Sequence, residues 1–117
     1  EPVLHADETS LPINQVNHWL HVLCTPLLTF FAVHLKRGKE AIQAIGILPK
    51  FTGWIMHDFL SSYLGFENCL HTFCKLHLLR ELVFLFEHHQ QPWAKIFTLC
   101  SWRCSSASRT VKPAMRL

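Results

Sequence analysis

The sequence predicts an α/β domain built on a mixed five-stranded sheet. Three observations predict it. Runs rich in β-branched, aromatic and leucine residues crowd the first third of the 117-residue chain, helical periodicity begins only after Lys36-Arg37-Gly38, and strand-like and helix-like segments alternate from there on. Half of the residues are apolar and 16% are charged, which supplies a core for one domain and excludes intrinsic disorder over most of the length.

Val3-Leu4-His5-Ala6-Asp7 is a short strand that gives way to the polar Glu8-Thr9-Ser10. Trp19 to Cys24 and Leu27 to Val33 flank Thr25-Pro26 as the two arms of an antiparallel hairpin. Ala41, Ile42, Ala44 and Ile45 then recur at helical spacing and stop at Gly46, with Pro49 just beyond, as a crossover helix does. Trp54-Ile55-Met56-His57 is a buried strand that delivers Asp58 at its end, followed by a small helix around Leu60 to Leu64. Asn68 to Phe73 supplies a fifth strand. Leu76 to Phe86 carries Leu78, Leu79, Leu82, Leu85 and Phe86 on one helical stripe, and a further helix starts near Pro92, which suits a first turn. Strand, strand, strand, helix, strand, strand, helix is the order of ribonuclease H-like folds. In that order the first and fourth strands are parallel neighbours, so Asp7 and Asp58 come together.

Two carboxylates on rigid strands are what a protein contributes to a Mg²⁺ site, because Mg²⁺ takes hard oxygen ligands and fills its remaining positions with water and phosphate. Spacing alone carries little weight, since exposed Asp at strand ends is common. The specific signal is a series of strings: Leu4-His5-Ala6-Asp7-Glu8-Thr9, Asn17-His18-Trp19-Leu20-His21-Val22, Val33-His34-Leu35-Lys36-Arg37-Gly38, Gly46-Ile47-Leu48-Pro49, His57-Asp58 with Tyr63, and Cys74-Lys75-Leu76-His77-Leu78-Leu79-Arg80-Glu81-Leu82. In order and spacing they resemble the central catalytic domain of insertion-sequence-66 family transposases, over about residues 3 to 97.

The resemblance implies a ribonuclease H-like domain with an Asp-Asp-Glu catalytic set, in which Mg²⁺ or Mn²⁺ supports DNA cleavage at transposon ends and strand transfer to a target. The first two family carboxylates fall on Asp7 and Asp58. The third belongs to an Asn-Asn-x-x-Glu-Arg-like motif farther downstream, and this sequence has no Asn-Asn pair. Glu81 and Glu87 are better read as solvated helix-face carboxylates than as substitutes for it. Leu35, Leu60 and Lys75 depart from the family's usual Pro, Trp and Asn. With a start at Glu1 and a resemblance that stops near Thr98, the expectation is a fragment truncated at both ends, its ribonuclease H-like fold incomplete at the C-terminus. The competing expectation is a non-catalytic remnant that at most binds nucleic acid or protein.

The net charge of +3 comes from the end of the chain. Arg103, Arg109, Lys112 and Arg116 meet no acidic residue after position 98, so residues 1–97 are expected to form the domain and residues 98–117 a divergent, disordered basic tail. Inside the domain, Lys36, Arg37 and Lys39 form a basic cluster suited to DNA phosphate at a helix start. Cys69, His71, Cys74 and His77 have ligand types that suit Zn²⁺, although their spacing is tighter than a usual finger and core packing competes as an explanation. Five cysteines without a secretory signal suggest a reducing cytoplasm. The longest apolar region is broken by His21 and Thr25-Pro26, short of the roughly 18 residues a membrane helix needs, so no membrane is expected. Expected partners are DNA, at transposon ends and target, and further copies of the chain.

Overall fold

Alternating burial drives the first strand. Leu4, Ala6 and Glu8 turn to the interior and His5, Asp7 and Thr9 to the outside, the two-residue period of a half-covered sheet. The computed structural model describes residues 3–109, with side chains to residue 103. β1 spans Leu4–Ile13 and pairs antiparallel with β2, Val16–Cys24. It is longer than its sequence suggests, because Glu8-Thr9-Ser10 does not end it. The turn comes at Asn14 and Gln15, whose φ angles of 48° and 65° give a two-residue connection matched to strand twist. β3, Thr29–His34, pairs antiparallel with β2 across the expected Thr25-Pro26 turn, where the Leu28 N–H donates to Thr25 Oγ1 at 3.2 Å.

Helix α1, Lys39–Ile45, stops at Gly46, whose φ of 78° lets its N–H donate back to the Ile42 carbonyl at 3.3 Å. A single tight turn at Leu48–Lys50 leads to β4, Trp54–His57, which lies parallel to β1 with Leu4 opposite Ile55. α2, Ser61–Leu64, and β5, Leu70–Phe73, follow, and β5 is parallel to β4. The strand order β3-β2-β1-β4-β5 is the mixed five-stranded α/β arrangement expected of a ribonuclease H-like sheet. Leu4, Ala6, Ile42, Leu48, Ile55, Tyr63, Phe66 and Cys69 form its core, with Ile55 fully buried. Asn68 ties the turn before β4 by donating through Nδ2 to the carbonyls of Leu48 and Phe51 at 2.9 and 2.6 Å.

The chain divides into two compact units, Glu1–Cys74 and Lys75–Leu117. The second holds α3, Lys75–His89, and α4, Pro92–Arg109, packed through Leu79, Leu82 and Ala94. Pro92 opens α4, and Gln91 Oε1 accepts from Trp93 Nε1 at 3.2 Å. No fixed structure was expected beyond residue 97, yet α4 continues to Arg109. Its Trp93, Ile96, Phe97 and Cys100 keep helical spacing, and no Gly or Pro interrupts the chain before Pro113. The rest of the expected tail, residues 110–117, lies outside the described residues. No helix among them is long and apolar enough to cross a membrane.

Candidate functional site

The strand alternation that exposes Asp7 buries its neighbour Glu8, whose side chain is wholly removed from solvent. A buried carboxylate is costly unless paired and hydrogen-bonded, and this one is both. Arg37 Nε and Nη2 each approach Glu8 Oε1 at 2.8 Å, and the Tyr63 hydroxyl donates to Glu8 Oε2 at 2.5 Å. Burial, with the Glu8 bond second, pushes the Tyr63 pKa well above its ordinary value, so it stays a donor.

Arg37 reaches a second carboxylate. Its Nη2 lies 3.4 Å from Asp58 Oδ2, while the Leu60 N–H donates to Asp58 Oδ1 at 2.9 Å. The guanidinium also sits over the Trp19 ring, 5.0 Å from its centroid. The loop that carries it is pinned by buried His21, whose Nε2–H donates to the Lys36 carbonyl at 3.2 Å, and by the Lys36 N–H, which donates to His34 Nδ1 at 2.9 Å. Arg37 therefore joins β1, the loop before α1 and the end of β4 in one polar cluster.

Behind Asp58, His57 is fully buried and stacks on Tyr63 with ring centroids 4.8 Å apart. Its Nδ1–H donates to the Asp58 carbonyl at 2.5 Å, which makes Nε2 the acceptor facing His71 Nδ1 at 2.9 Å. Burial holds the His57 pKa below the usual histidine value. The ring braces the Asp58 backbone as a neutral group.

Asp7 is exposed on β1, and its Oδ1 accepts the Glu8 N–H at 2.9 Å. Asp7 and Asp58 each stand three residues beyond the paired Leu4 and Ile55, so adjacent parallel strands deliver both. Their hard oxygens and remaining lone pairs fit a divalent ion such as Mg²⁺. Among the described residues, no three His, Cys, Asp or Glu side chains form a group able to hold a metal. Glu8 is set apart from this pair by burial: its side chain has no solvent exposure and is held by Arg37 and Tyr63. Glu81 and Glu87 are exposed on α3 of the second unit.

The basic cluster is largely paired within the chain. Lys36 makes an exposed bond to Glu40 at 2.6 Å, Arg37 is held as described, and Lys39 Nζ lies 5.8 Å from the Phe66 ring centroid. The zinc-type residues are likewise engaged. Both ring nitrogens of His71 have partners, His57 Nε2 and the Phe66 carbonyl, each at 2.9 Å. Burial pushes the Cys69 thiol up, against the thiolate that zinc needs, and Cys69 Sγ lies 3.3 Å from the Phe66 carbonyl. The Cys74 N–H donates to the His57 carbonyl at 2.7 Å, and His77 belongs to α3 of the second unit, its buried Nδ1 without a hydrogen-bond partner.

Glu8 and Tyr63 have no assigned role in the sequence reading. Extending the alternation of Leu4 and Ala6 by one step puts Glu8 on the core side, and that signal was available.

The family model described as Transposase IS66 family matches residues 1–112, past the point near Thr98 where the motif resemblance fades. No curated protein matches the chain in sequence. A solved structure of the HTLV-2 integrase catalytic core domain in complex with magnesium, in a trimeric form, is similar over 85% of this chain and 80% of that one, at 16% identity and a TM-score of 0.48.

Proposed function

The chain belongs to the IS66 family of transposases, and on that premise we propose that Asp7 and Asp58 hold a divalent ion, Mg²⁺ or Mn²⁺, for DNA cleavage and strand transfer. The family's work is DNA transposition, so DNA is the partner. The observation that carries the proposal is the parallel pairing of β1 with β4, which brings the two carboxylates off neighbouring strands. When bound, such an ion stabilises charge on the attacking and leaving oxygens of a phosphodiester. The chain's own part is to hold it: the Leu60 N–H fixes the Asp58 carboxylate, and His57 fixes its backbone. Half-exposed Arg37, with Lys36 and Lys39, offers positive charge to the DNA backbone.

With two carboxylates rather than three, these 117 residues are expected to bind the ion weakly and to complete no strand transfer by themselves. The test is cleavage of transposon-end DNA in Mn²⁺ by the unmodified chain, with no product above background expected. Cleavage that disappears in Glu81→Gln or Glu87→Gln would instead identify a third carboxylate on α3. A non-catalytic binding role is the competing proposal, and exposed Leu27, Leu28 and Phe31 on and beside the edge strand β3 favour self-association under it. It requires metal binding to be indifferent to Asp58→Asn.

A further inference from the structure

We propose that Arg37 couples the metal site to DNA: it serves as the counter-ion of Asp58 while no metal is bound, and is released toward a DNA phosphate when metal takes its place. This rests on the reading of Asp58 as a metal ligand and adds a regulatory contact to it.

The asymmetry of the Arg37 contacts carries the argument. Toward Glu8 it has two nitrogens at 2.8 Å and a carboxylate partner with no solvent exposure, and its guanidinium lies over the Trp19 ring. Toward Asp58 it has one nitrogen at 3.4 Å, past the usual length of a charge-assisted bond, and the partner is 16% exposed. Glu8 is therefore the anchor and Asp58 the partner that Arg37 can give up. The Arg37 side chain is 42% exposed and Nη2 carries two N–H groups, so the one freed from Asp58 can meet solvent or phosphate while Nη2 and Nε stay on Glu8. Asp7, Glu8 and Asp58 outweigh Arg37 by two negative charges, which a divalent ion neutralises. The guanidinium repels such an ion and competes for the same oxygen, while a DNA phosphate draws it away. Metal and DNA then favour each other's binding, and linkage makes the factor equal in both directions.

The experiment is a Mn²⁺ titration of the full chain, with and without a short DNA duplex of unrelated sequence, on the unmodified protein, Arg37→Gln, Arg37→Lys and Asp58→Asn. DNA should tighten Mn²⁺ binding to the unmodified protein by about five- to tenfold. Arg37→Gln should bind Mn²⁺ about three- to tenfold more tightly without DNA, since a like charge is gone, and should lose the DNA effect. A residue that only supported the fold would move affinity the other way. Arg37→Lys, which keeps the charge, should retain part of the coupling. In the unmodified protein, the Arg37 Nη–H resonances should shift on Mg²⁺ addition, a readout that needs no variant. An unmoved resonance, or weaker binding with the DNA effect intact in a folded Arg37→Gln, overturns the coupling alone. Metal binding unchanged in Asp58→Asn overturns the metal-site reading and the coupling together.

Discussion

The sheet unit and the helical unit of this chain invest burial differently. In the sheet unit Glu8, His21 and His57 are buried, and each is hydrogen-bonded. The helical unit buries Leu79, Leu82 and Ala94, and leaves Val83, Phe84, Ile96, Phe97 and Trp102 exposed. Chemistry therefore collects where a larger core can hold polar groups rigidly, since the cost of burying Glu8 is offset only by partners that the surrounding packing keeps in register.

The largest difference should appear in core truncation. Ile55→Ala, in the middle of the sheet, should destabilise its unit by about 3–5 kcal/mol, whereas Leu82→Ala should cost about 2–3 because a small helical cluster collapses more readily around the gap. Urea unfolding followed by Trp19 and Trp54 for one unit and Trp93 and Trp102 for the other separates the two. Equal costs would erase the contrast.

Removing the cation from the buried cluster comes next. Arg37→Gln should cost the sheet unit about 1–3 kcal/mol, toward the lower end because Arg37 is half exposed while Glu8 is not. Chemical denaturation at neutral pH reads it directly, and a neutral outcome would mean that Tyr63 alone suffices for Glu8.

The pH dependence sharpens the same point from two sides. His57 has a lowered pKa in the folded chain, so below about 6.5 the unfolded state binds the extra proton, and stability present above that pH is lost as pH falls. Tyr63 has a raised pKa, so above about 10 the unfolded state ionises first, and stability present below that pH is lost as pH rises. Melting curves across pH should show both limbs, with Tyr63→Phe flattening the alkaline one. An unchanged alkaline limb in Tyr63→Phe would assign it to another group. The smallest effect belongs to Lys36→Gln, whose exposed pair with Glu40 is screened by solvent, and its melting curve should overlay that of the unmodified chain. Lys36 and Arg37 are sequence neighbours of equal charge, and the depth of the partner separates them.

Periodicity made much of the fold legible. The helical stripe ending at Gly46, the apolar run Trp54 to His57 and the leucine stripe of α3 are strong local signals, and each matches an observed element closely. The long β1–β2 hairpin leaves little local trace, because Asn14-Gln15 lacks the glycine that usually marks such turns and Glu8-Thr9-Ser10 resembles a strand end. Of the candidate site, Asp7 and Asp58 could be named from motif position. Their bracing could not. The contacts of Arg37 with Glu8 and of Tyr63 with Glu8 join residues far apart in sequence, and local pattern carries no record of such pairings. Residues 98 to 109 have the Ser-rich, basic composition of a tail, yet they continue α4 because no Gly or Pro ends it.

Whether two strands bring Asp7 and Asp58 to one divalent ion is read by calorimetric titration of Mn²⁺ into the unmodified chain, Asp7→Asn, Asp58→Asn and the double variant. The unmodified chain should bind weakly, and either single substitution should abolish binding, with no further loss in the double variant. Full binding retained in either single variant, or independent and additive losses from the two, would contradict a shared site.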